Sequence, residues 1–168
     1  MQKPQLVAVD TNVLMRLAER HEATVDAWHL IRRRIQSVQF IALPTVLDEL
    51  AYNKIGGQDA HVRWAAYNAL VELRGRWRFL PLDLNAVQEA ILKNAAGRLL
   101  DSGLIPRAER NDAAIVAEAA ILNAILLVSR DSHLLDIDRE KLALLFRQLD
   151  LMAPVIASPE ALVKKFYT

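Results

Sequence analysis

Two short apolar runs without polar alternation are the feature that most constrains what this chain can fold into. Residues 5–9 read Gln-Leu-Val-Ala-Val, and residues 124–129 read Ala-Ile-Leu-Leu-Val-Ser. A strand that is apolar on both faces is typical of a parallel sheet covered by helices on each side. The two runs therefore predict interior strands of an α/β protein.

Segments with helical features alternate with these and other strand-like runs along the chain. Further strands are predicted at 39–43, at 77–82 as an edge strand, and at 154–158. Helices are predicted at 11–20, 23–37, from 44 to the Gly56-Gly57 break, at 58–74, 84–101 and 111–124, and after Ser158. The alternation predicts a three-layer α/β/α sandwich with a mostly parallel central sheet. A chain of 168 residues favours one domain, residues 1–168, and the segment 51–80 is interpreted as a helical elaboration of it.

Composition excludes several classes of protein. A hydrophobic content of 53% and a charged content of 24% are typical of a globular chain and exclude disorder. The net charge of +1 neither demands nor excludes a nucleic-acid partner. The chain has no cysteine, which excludes disulfides and thiolate metal sites. No signal-peptide pattern or membrane-length apolar run is present, so we expect a cytoplasmic protein without membrane contact.

Four acidic residues lie where strand ends and helix starts should converge: Asp10, Glu49, Asp112 and Asp131. In open α/β sheets, sites form at the carboxyl ends of the strands. Two carboxylates about 4 Å apart repel by roughly 4 kcal/mol at an effective dielectric constant near 20, so such a cluster must take up protons or a cation. All-oxygen ligands suit Mg²⁺ or Mn²⁺ better than zinc, and such an ion can activate water against a phosphodiester.

Each acid also has an ordinary structural interpretation. Asp10 is able to cap the helix that follows it, and Asp112 is able to cap the helix that opens at residue 111. Asp131 suits the start of a turn. Glu49 has an acidic neighbour, Asp48, and either one is compatible with a surface position on the same helix. Taken one at a time, the acids do not separate these interpretations from a metal site.

Four segments of the chain carry a family resemblance. In order, "VAVDTNVLM", "PTVLDEL", "RNDAAIVAEAA" and "LLVSRD" resemble the acidic motifs of the PIN-domain nuclease family, which includes VapC-like ribonucleases. The closing "VIASPEAL" looks like the family's last strand and helix, so the resemblance covers most of the chain. It implies a PIN-like fold and hydrolysis of RNA phosphodiesters that depends on Mg²⁺ or Mn²⁺ and is usually endonucleolytic.

The resemblance also implies roles for individual residues. Asp10, Asp112 and Asp131 would hold metal directly or through water, and Glu49 would complete the cluster of catalytic acids. Glu49 is chosen over Asp48 because the family's glutamate precedes a leucine. Three polar residues would orient the carboxylates, although helix capping or turn formation explains them equally well: Thr11, Asn12 and Ser129. Many small bacterial members are toxins of toxin–antitoxin pairs, so an antitoxin partner and a homodimer are further expectations.

Arginines near the acids are candidates for RNA binding. Arg107 and Arg110 precede Asp112, and Arg130 adjoins Asp131. The planar guanidinium binds two phosphate oxygens at once, although most helix arginines are simply solvated. Trp64 and Trp77 are able to stack on unpaired bases, while most tryptophans lie in the core.

Three other functions are weighed against a ribonuclease. A non-catalytic PIN-like module that binds RNA or protein is the alternative, although such a module has no need of four acids. An aspartyl-nucleophile phosphatase needs a second aspartate where Asn12 stands. A phosphorylated receiver switch needs a lysine late in the sheet, where Arg130 and Asp131 follow "LLVS".

Overall fold

The computed structural model describes residues 3–167, without the side chain of residue 167, and within them an α/β fold around one parallel sheet. Five strands pair in the order β3-β2-β1-β4-β5, and every pairing is parallel. The strands are β1 (Gln5–Val9), β2 (Val38–Ala42), β3 (Leu80–Pro81), β4 (Ala124–Val128) and β5 (Val155–Ala157). The predicted α/β class with a central parallel sheet between helices is confirmed.

Helices connect the strands and cover the sheet. They are α1 (Thr11–Ala18), α2 (Glu22–Arg34), α3 (Pro44–Gly56), α4 (Ala60–Arg74), α5 (Ala86–Asp101), α6 (Arg110–Ile121), α7 (Ser132–Leu135), α8 (Arg139–Arg147) and α9 (Pro159–Tyr167). Within residues 3–167, each of them is too short or too polar to traverse a lipid bilayer. Whether residues 51–80, which hold the end of α3 and all of α4, elaborate a smaller fold stays a prediction.

The strand order creates a crevice between β1 and β4. The chain runs outward from β1 through β2 to β3, and then returns to place β4 and β5 on the other side of β1. Connections on the two sides of such a reversal diverge, which leaves a crevice at the carboxyl ends of the two central strands. Asp10 follows β1 and Ser129 follows β4, so both residues lie at this crevice.

The interior explains why β1, β4 and α6 carry so few polar residues. Val7 and Ala8 in β1 and Leu127 in β4 are fully buried. Helix α6 is buried along nearly its whole length, as its small and apolar residues predict. Its neighbours are α3 and α5, so it lies between other helices and the sheet.

The structure differs from the predicted elements in its edge strand, in the ends of three helices and in two added helices. Helix α1 ends at Ala18 and α6 at Ile121, before the predicted residues 20 and 124. Strand β3 has two residues where six were predicted, because Pro81 has no N–H to continue a ladder. Helix α2 ends at Arg34, before the predicted residue 37. Helices α7 and α8 were not predicted, although Asp131 and Asp138 accept hydrogen bonds from the first turns of these helices.

Candidate active site

Asp10 is a buried carboxylate at the end of β1. It is 4% exposed, and its backbone N–H donates to the carbonyl of Val128 on β4 at 2.9 Å. Its Oδ1 accepts from the N–H of Thr11 at 2.7 Å, so it caps α1. Capping, one of the ordinary interpretations, is therefore real. It engages one carboxylate oxygen and leaves the other for a second partner.

Ser129 joins Asp10 to Asp131. The fully buried Ser129 hydroxyl donates to Oδ2 of Asp10 at 2.6 Å and accepts from the backbone N–H of Asp131 at 3.0 Å. Asp131 is half-buried, and its own Oδ1 accepts from the N–H of His133 at 2.7 Å. Ser129 thus connects the Asp10 carboxylate at the end of β1 to the backbone of Asp131, which follows β4. That Ser129 orients catalytic carboxylates stays a prediction.

Glu49 enters from α3 and is held by Thr11. The Thr11 hydroxyl donates to Oε2 of Glu49 at 2.8 Å. Glu49 is half-buried, whereas its neighbour Asp48 is exposed. The contact brings the start of α1 against α3, and it distinguishes Glu49 from Asp48 as the sequence interpretation did.

Asp112 has an oxygen with no partner. It lies at the third position of α6, whose cap is Glu109, so the interpretation of Asp112 as a helix cap is wrong. In the described part of the chain, its Oδ2 is buried and accepts no hydrogen bond. Buried polar atoms without a protein partner are rare in folded proteins, and a bound ion or water is a common partner for such an atom.

Electrostatic interactions join the four acids. The pKa of Asp10 is raised to about 6: burial is the largest cause, the hydrogen bonds from Ser129 and Thr11 partly offset it, and the charges of Glu49 and Asp131 add to the rise. Burial, together with the charges of Asp131, Asp10, Glu109 and Glu49, raises the pKa of Asp112 to about 7. Each of the four acids therefore contributes to a single region of negative potential that favours protons or cations.

A cleft of about 630 Å³ opens beside Asp112. Its walls come from α3 and from the start of α6, and they include Thr45, Glu49, Glu109 and Asp112. Polar side chains and carboxylates dominate this lining, so the cleft suits a polar or cationic ligand better than an apolar one.

The four acids suit a divalent metal by their chemistry but not by their present arrangement. The donors are all carboxylates, which suits Mg²⁺ or Mn²⁺, and the unpaired Oδ2 of Asp112 is an available ligand. Yet no three histidine, cysteine, aspartate or glutamate side chains within residues 3–167 are grouped so that they could hold a metal ion. The chemistry of the donors fits a metal, while their present positions do not form a ready site.

Comparisons with known proteins give a clear answer on the fold. No protein-family model and no curated protein matches the sequence. A chain of the crystal structure of VapBC2 from Rickettsia felis, bound to a DNA fragment from their promoter, aligns with 92% of this chain and 98% of its own, at a TM-score of 0.60 and 16% identity. VapBC-1 from nontypeable Haemophilus influenzae aligns over the same shares, at a TM-score of 0.58 and 17% identity. VapBC-5 from Mycobacterium tuberculosis, a member of the VapBC family of toxin–antitoxin systems, also aligns over these shares, at a TM-score of 0.54 and 17% identity.

The chain has a PIN-like fold. The alignments cover 92% of this chain and 98% of the first solved chain, and the parallel sheet between helical layers agrees with the fold that the motif resemblance implied. At identities of 16–17%, the likeness concerns the fold and leaves the chemistry to the residues at the crevice.

The predicted RNA-binding arginines lie in different settings on this PIN-like fold. Arg130 forms an ion pair with Glu160 of α9 at 3.0 Å. Arg107 lies 3.7 Å from Asp101 in an exposed pair. Arg110 is exposed and lines, together with Arg107 and Lys93, a second cleft of about 520 Å³ between α5 and the start of α6. Asn12, predicted to orient a carboxylate, is exposed in the first turn of α1.

Three residues near the site were missed by sequence reasoning. Glu109 occupies the position before α6 without capping it through its side chain, raises the pKa of Asp112 and lies 3.8 Å from His133. Glu118 and Thr45 form a buried contact between α6 and α3. A glutamate inside an otherwise apolar helix was the available signal for Glu118, because an isolated buried charge is costly without a partner.

A third and larger cavity of the PIN-like fold lies away from the four acids, among α1, α2 and α4. It has a volume of about 760 Å³, and Trp28, Arg32, Trp64 and Arg76 are among its lining residues. Trp64 is 50% exposed and stacks on His61 at 5.9 Å between ring centroids. This groove therefore offers an exposed aromatic ring to a partner.

Proposed function

We propose that the chain is a metal-dependent ribonuclease of the PIN family that cuts RNA phosphodiester bonds, most simply as an endonuclease. The observation that carries the proposal is that Asp131, Asp10 and Glu49 lie close enough to Asp112 to raise its pKa, which burial and these charges bring to about 7. Structural ion-pair networks also perturb pKa values, but the charged side chains that shift the pKa values of Asp10 and Asp112 are all acidic.

The proposal assigns Mg²⁺ or Mn²⁺ to Asp10, Asp112 and Asp131, with Glu49 completing the set. When bound, such a cation supplies an activated water and offsets the charge of the phosphate. Because the side chains are not yet grouped as ligands, binding requires some of them to rearrange. Ser129 and Thr11 limit that movement, since they already hold Asp10 and Glu49 by hydrogen bonds.

The remaining predicted residues act on the RNA or on the carboxylates. Arg110 and Arg107 would bind backbone phosphates in the cleft between α5 and the start of α6, and Arg130 would do so after release from Glu160. Asn12, which is exposed at the start of α1, would orient a carboxylate.

We also propose that the chain is the toxin of a toxin–antitoxin pair and that its protein partner is an antitoxin. Support comes from the three structural neighbours, which are all VapBC assemblies. A homodimer and a cytoplasmic location are part of the same proposal. Co-expression with the product of an adjacent gene, followed by co-purification, tests the partner directly.

The decisive experiment compares wild-type protein with Asp112→Asn and Asp10→Asn on a mixed RNA pool in Mn²⁺ and in EDTA. We expect cleavage by the wild type alone, lost in EDTA. Asp150→Asn is the matched control, because Asp150 is exposed and its positive φ of 55° is tolerated by asparagine. This control should cut at the wild-type rate.

Two results would overturn the assignment. Equal cleavage by the wild type and both variants would show that the activity belongs to a contaminant. A wild type that folds, fails to cut and binds no Mn²⁺ at millimolar concentration would remove the metal site.

The second candidate function is a non-catalytic PIN-like module. It is favoured by the absence of a grouped metal site among residues 3–167 and by the groove that exposes Trp64. Such a module would bind RNA or protein without cutting, and the alanine variant of Trp64 would weaken that binding.

A further inference from the structure

Glu118 is a charged residue in the most apolar helix of the fold. It is 2% exposed, and both of its neighbours in α6, Ala117 and Ala119, are fully buried. Burial raises the pKa of Glu118 to about 7, more than its hydrogen bonds from Thr45 lower it. The folded protein thus carries this carboxyl group at a cost in stability, which an apolar side chain of similar volume would avoid.

The carboxylate of Glu118 binds the first turn of α3. Its Oε1 accepts from the Thr45 hydroxyl at 2.6 Å, and its Oε2 accepts from the Thr45 backbone N–H at 3.2 Å. Leu43, the residue that precedes the helix, supplies no side-chain cap, and Pro44 has no N–H to satisfy. A residue of another helix therefore caps α3, at the end where the helix dipole favours negative charge.

This contact joins the two helices that carry Glu49 and Asp112. Thr45 lies four residues before Glu49, which places the two on one face of α3, and both line the cleft beside Asp112. Asp112 begins the same helix that carries Glu118. Apolar packing alone tolerates small rotations of one helix on another, whereas a two-bond contact fixes the rotation and height of α3.

We propose that Glu118 is a positioning residue for the site: through Thr45 it sets the orientation of α3 and hence the distance between Glu49 and Asp112. The inference rests on the proposed ribonuclease function. Glu118 touches neither substrate nor metal, and Glu49 is held twice, directly by Thr11 and indirectly by Glu118.

The test replaces Glu118 with methionine and with glutamine. Glu118→Met keeps the volume and removes both acceptors, so we expect kcat to fall about tenfold or more, and Mn²⁺ affinity by about tenfold, with KM for RNA within roughly twofold. The melting temperature should stay equal or rise, because the buried charge is gone. Glu118→Gln keeps one acceptor for Thr45 and should retain most of the activity.

Substitution of Thr45 tests the same contact from its other side, with a smaller change. Thr45→Val removes the hydroxyl donor and should lower both kcat and Mn²⁺ affinity, as Glu118→Met does. Thr45→Ser keeps the hydroxyl and should leave both close to the wild-type values. In the double variant with Glu118→Met, the losses should not add, since both changes break one contact. Glu89→Met is the control for loss of an acidic charge near Glu118, because Glu89 is exposed on α5.

The outcomes separate this inference from the proposed function. An active wild type together with a folded Glu118→Met variant of unchanged kcat and Mn²⁺ affinity would overturn the positioning role alone. Loss of activity that tracks a lower melting temperature, without rescue by Thr45→Ser or Glu118→Gln, would also overturn it. A folded wild type that neither cuts RNA nor binds Mn²⁺ would overturn the ribonuclease proposal and the positioning role with it.

Discussion

Ser129 donates a hydrogen bond of 2.6 Å to Asp10, and this bond ties together the carboxyl ends of two strands that are 119 residues apart in sequence. Both side chains are buried. The bond selects one orientation of the Asp10 carboxylate and lowers its pKa against the larger rise caused by burial. Ser129 therefore affects both the orientation and the pKa of Asp10, the most buried acid of the candidate site.

Replacing Ser129 with alanine removes that bond and the acceptor used by the N–H of Asp131. We expect the pKa of Asp10 to rise above about 6, because a group that lowers it is gone. Leaving a buried acceptor unsatisfied should cost about 1–3 kcal/mol in the free energy of unfolding. Carboxyl ¹³C titration and urea unfolding at pH 8 measure the two effects. Ser132→Ala, at an exposed position, should change neither.

Asp112→Asn should stabilise the metal-free protein at neutral and alkaline pH. The folded pKa of about 7 lies above the ordinary value of 3.8, so the folded state binds protons more tightly than the unfolded chain. Stability from this group is therefore full below about pH 4 and falls as the pH rises to about 7. Asparagine does not titrate. We therefore expect Asp112→Asn to increase the free energy of unfolding by about 1–3 kcal/mol at pH 8 and to leave it almost unchanged at pH 4. Urea unfolding in EDTA at both pH values gives the comparison, and a variant that is less stable at pH 8 would contradict it.

Mn²⁺ should raise the melting temperature of the wild type and leave that of Asp112→Asn almost unchanged. A ligand that binds only the folded state stabilises it by about 2.7 kcal/mol at a hundred times its Kd. Binding near pH 6 should also release protons, since Asp10 and Asp112 are partly protonated there. Thermal melts with and without Mn²⁺, and calorimetry in two buffers of different ionisation enthalpy, measure both effects. An equal shift in both proteins would place the metal elsewhere.

Arg110→Ala should weaken RNA binding more than it slows chemistry. Arg110 is exposed in the cleft beside the start of α6, so its loss removes a phosphate contact and leaves the acids in place. We expect a higher KM, an unchanged kcat, and a slope of log affinity against log salt that is smaller by about one. Arg139→Ala is the matched control, at an exposed position of α8. An identical salt slope in wild type and Arg110→Ala would exclude the contact.

Much of the fold was predictable because its signals are local. The unbroken apolar runs of β1 and β4 indicate burial on both faces, and the parallel sheet followed from their alternation with helices. Proline at residue 44 and the Ser158-Pro159 pair marked helix starts correctly. Edge strand β3 was overestimated, since "WRFLPL" has strand composition but Pro81 and the sheet edge limit its pairing.

The sequence by itself determined which acids are present and that two of them follow buried strands, because strand burial and helix capping depend on near neighbours. Only the tertiary structure decided which groups share a hydrogen bond or a charge interaction. Sequence patterns could not show that Thr11 holds Glu49, that Glu118 caps α3, or that Arg130 pairs with Glu160. Those contacts join residues 30 to 73 positions apart, and the packing of helices against the sheet brings them within hydrogen-bond distance.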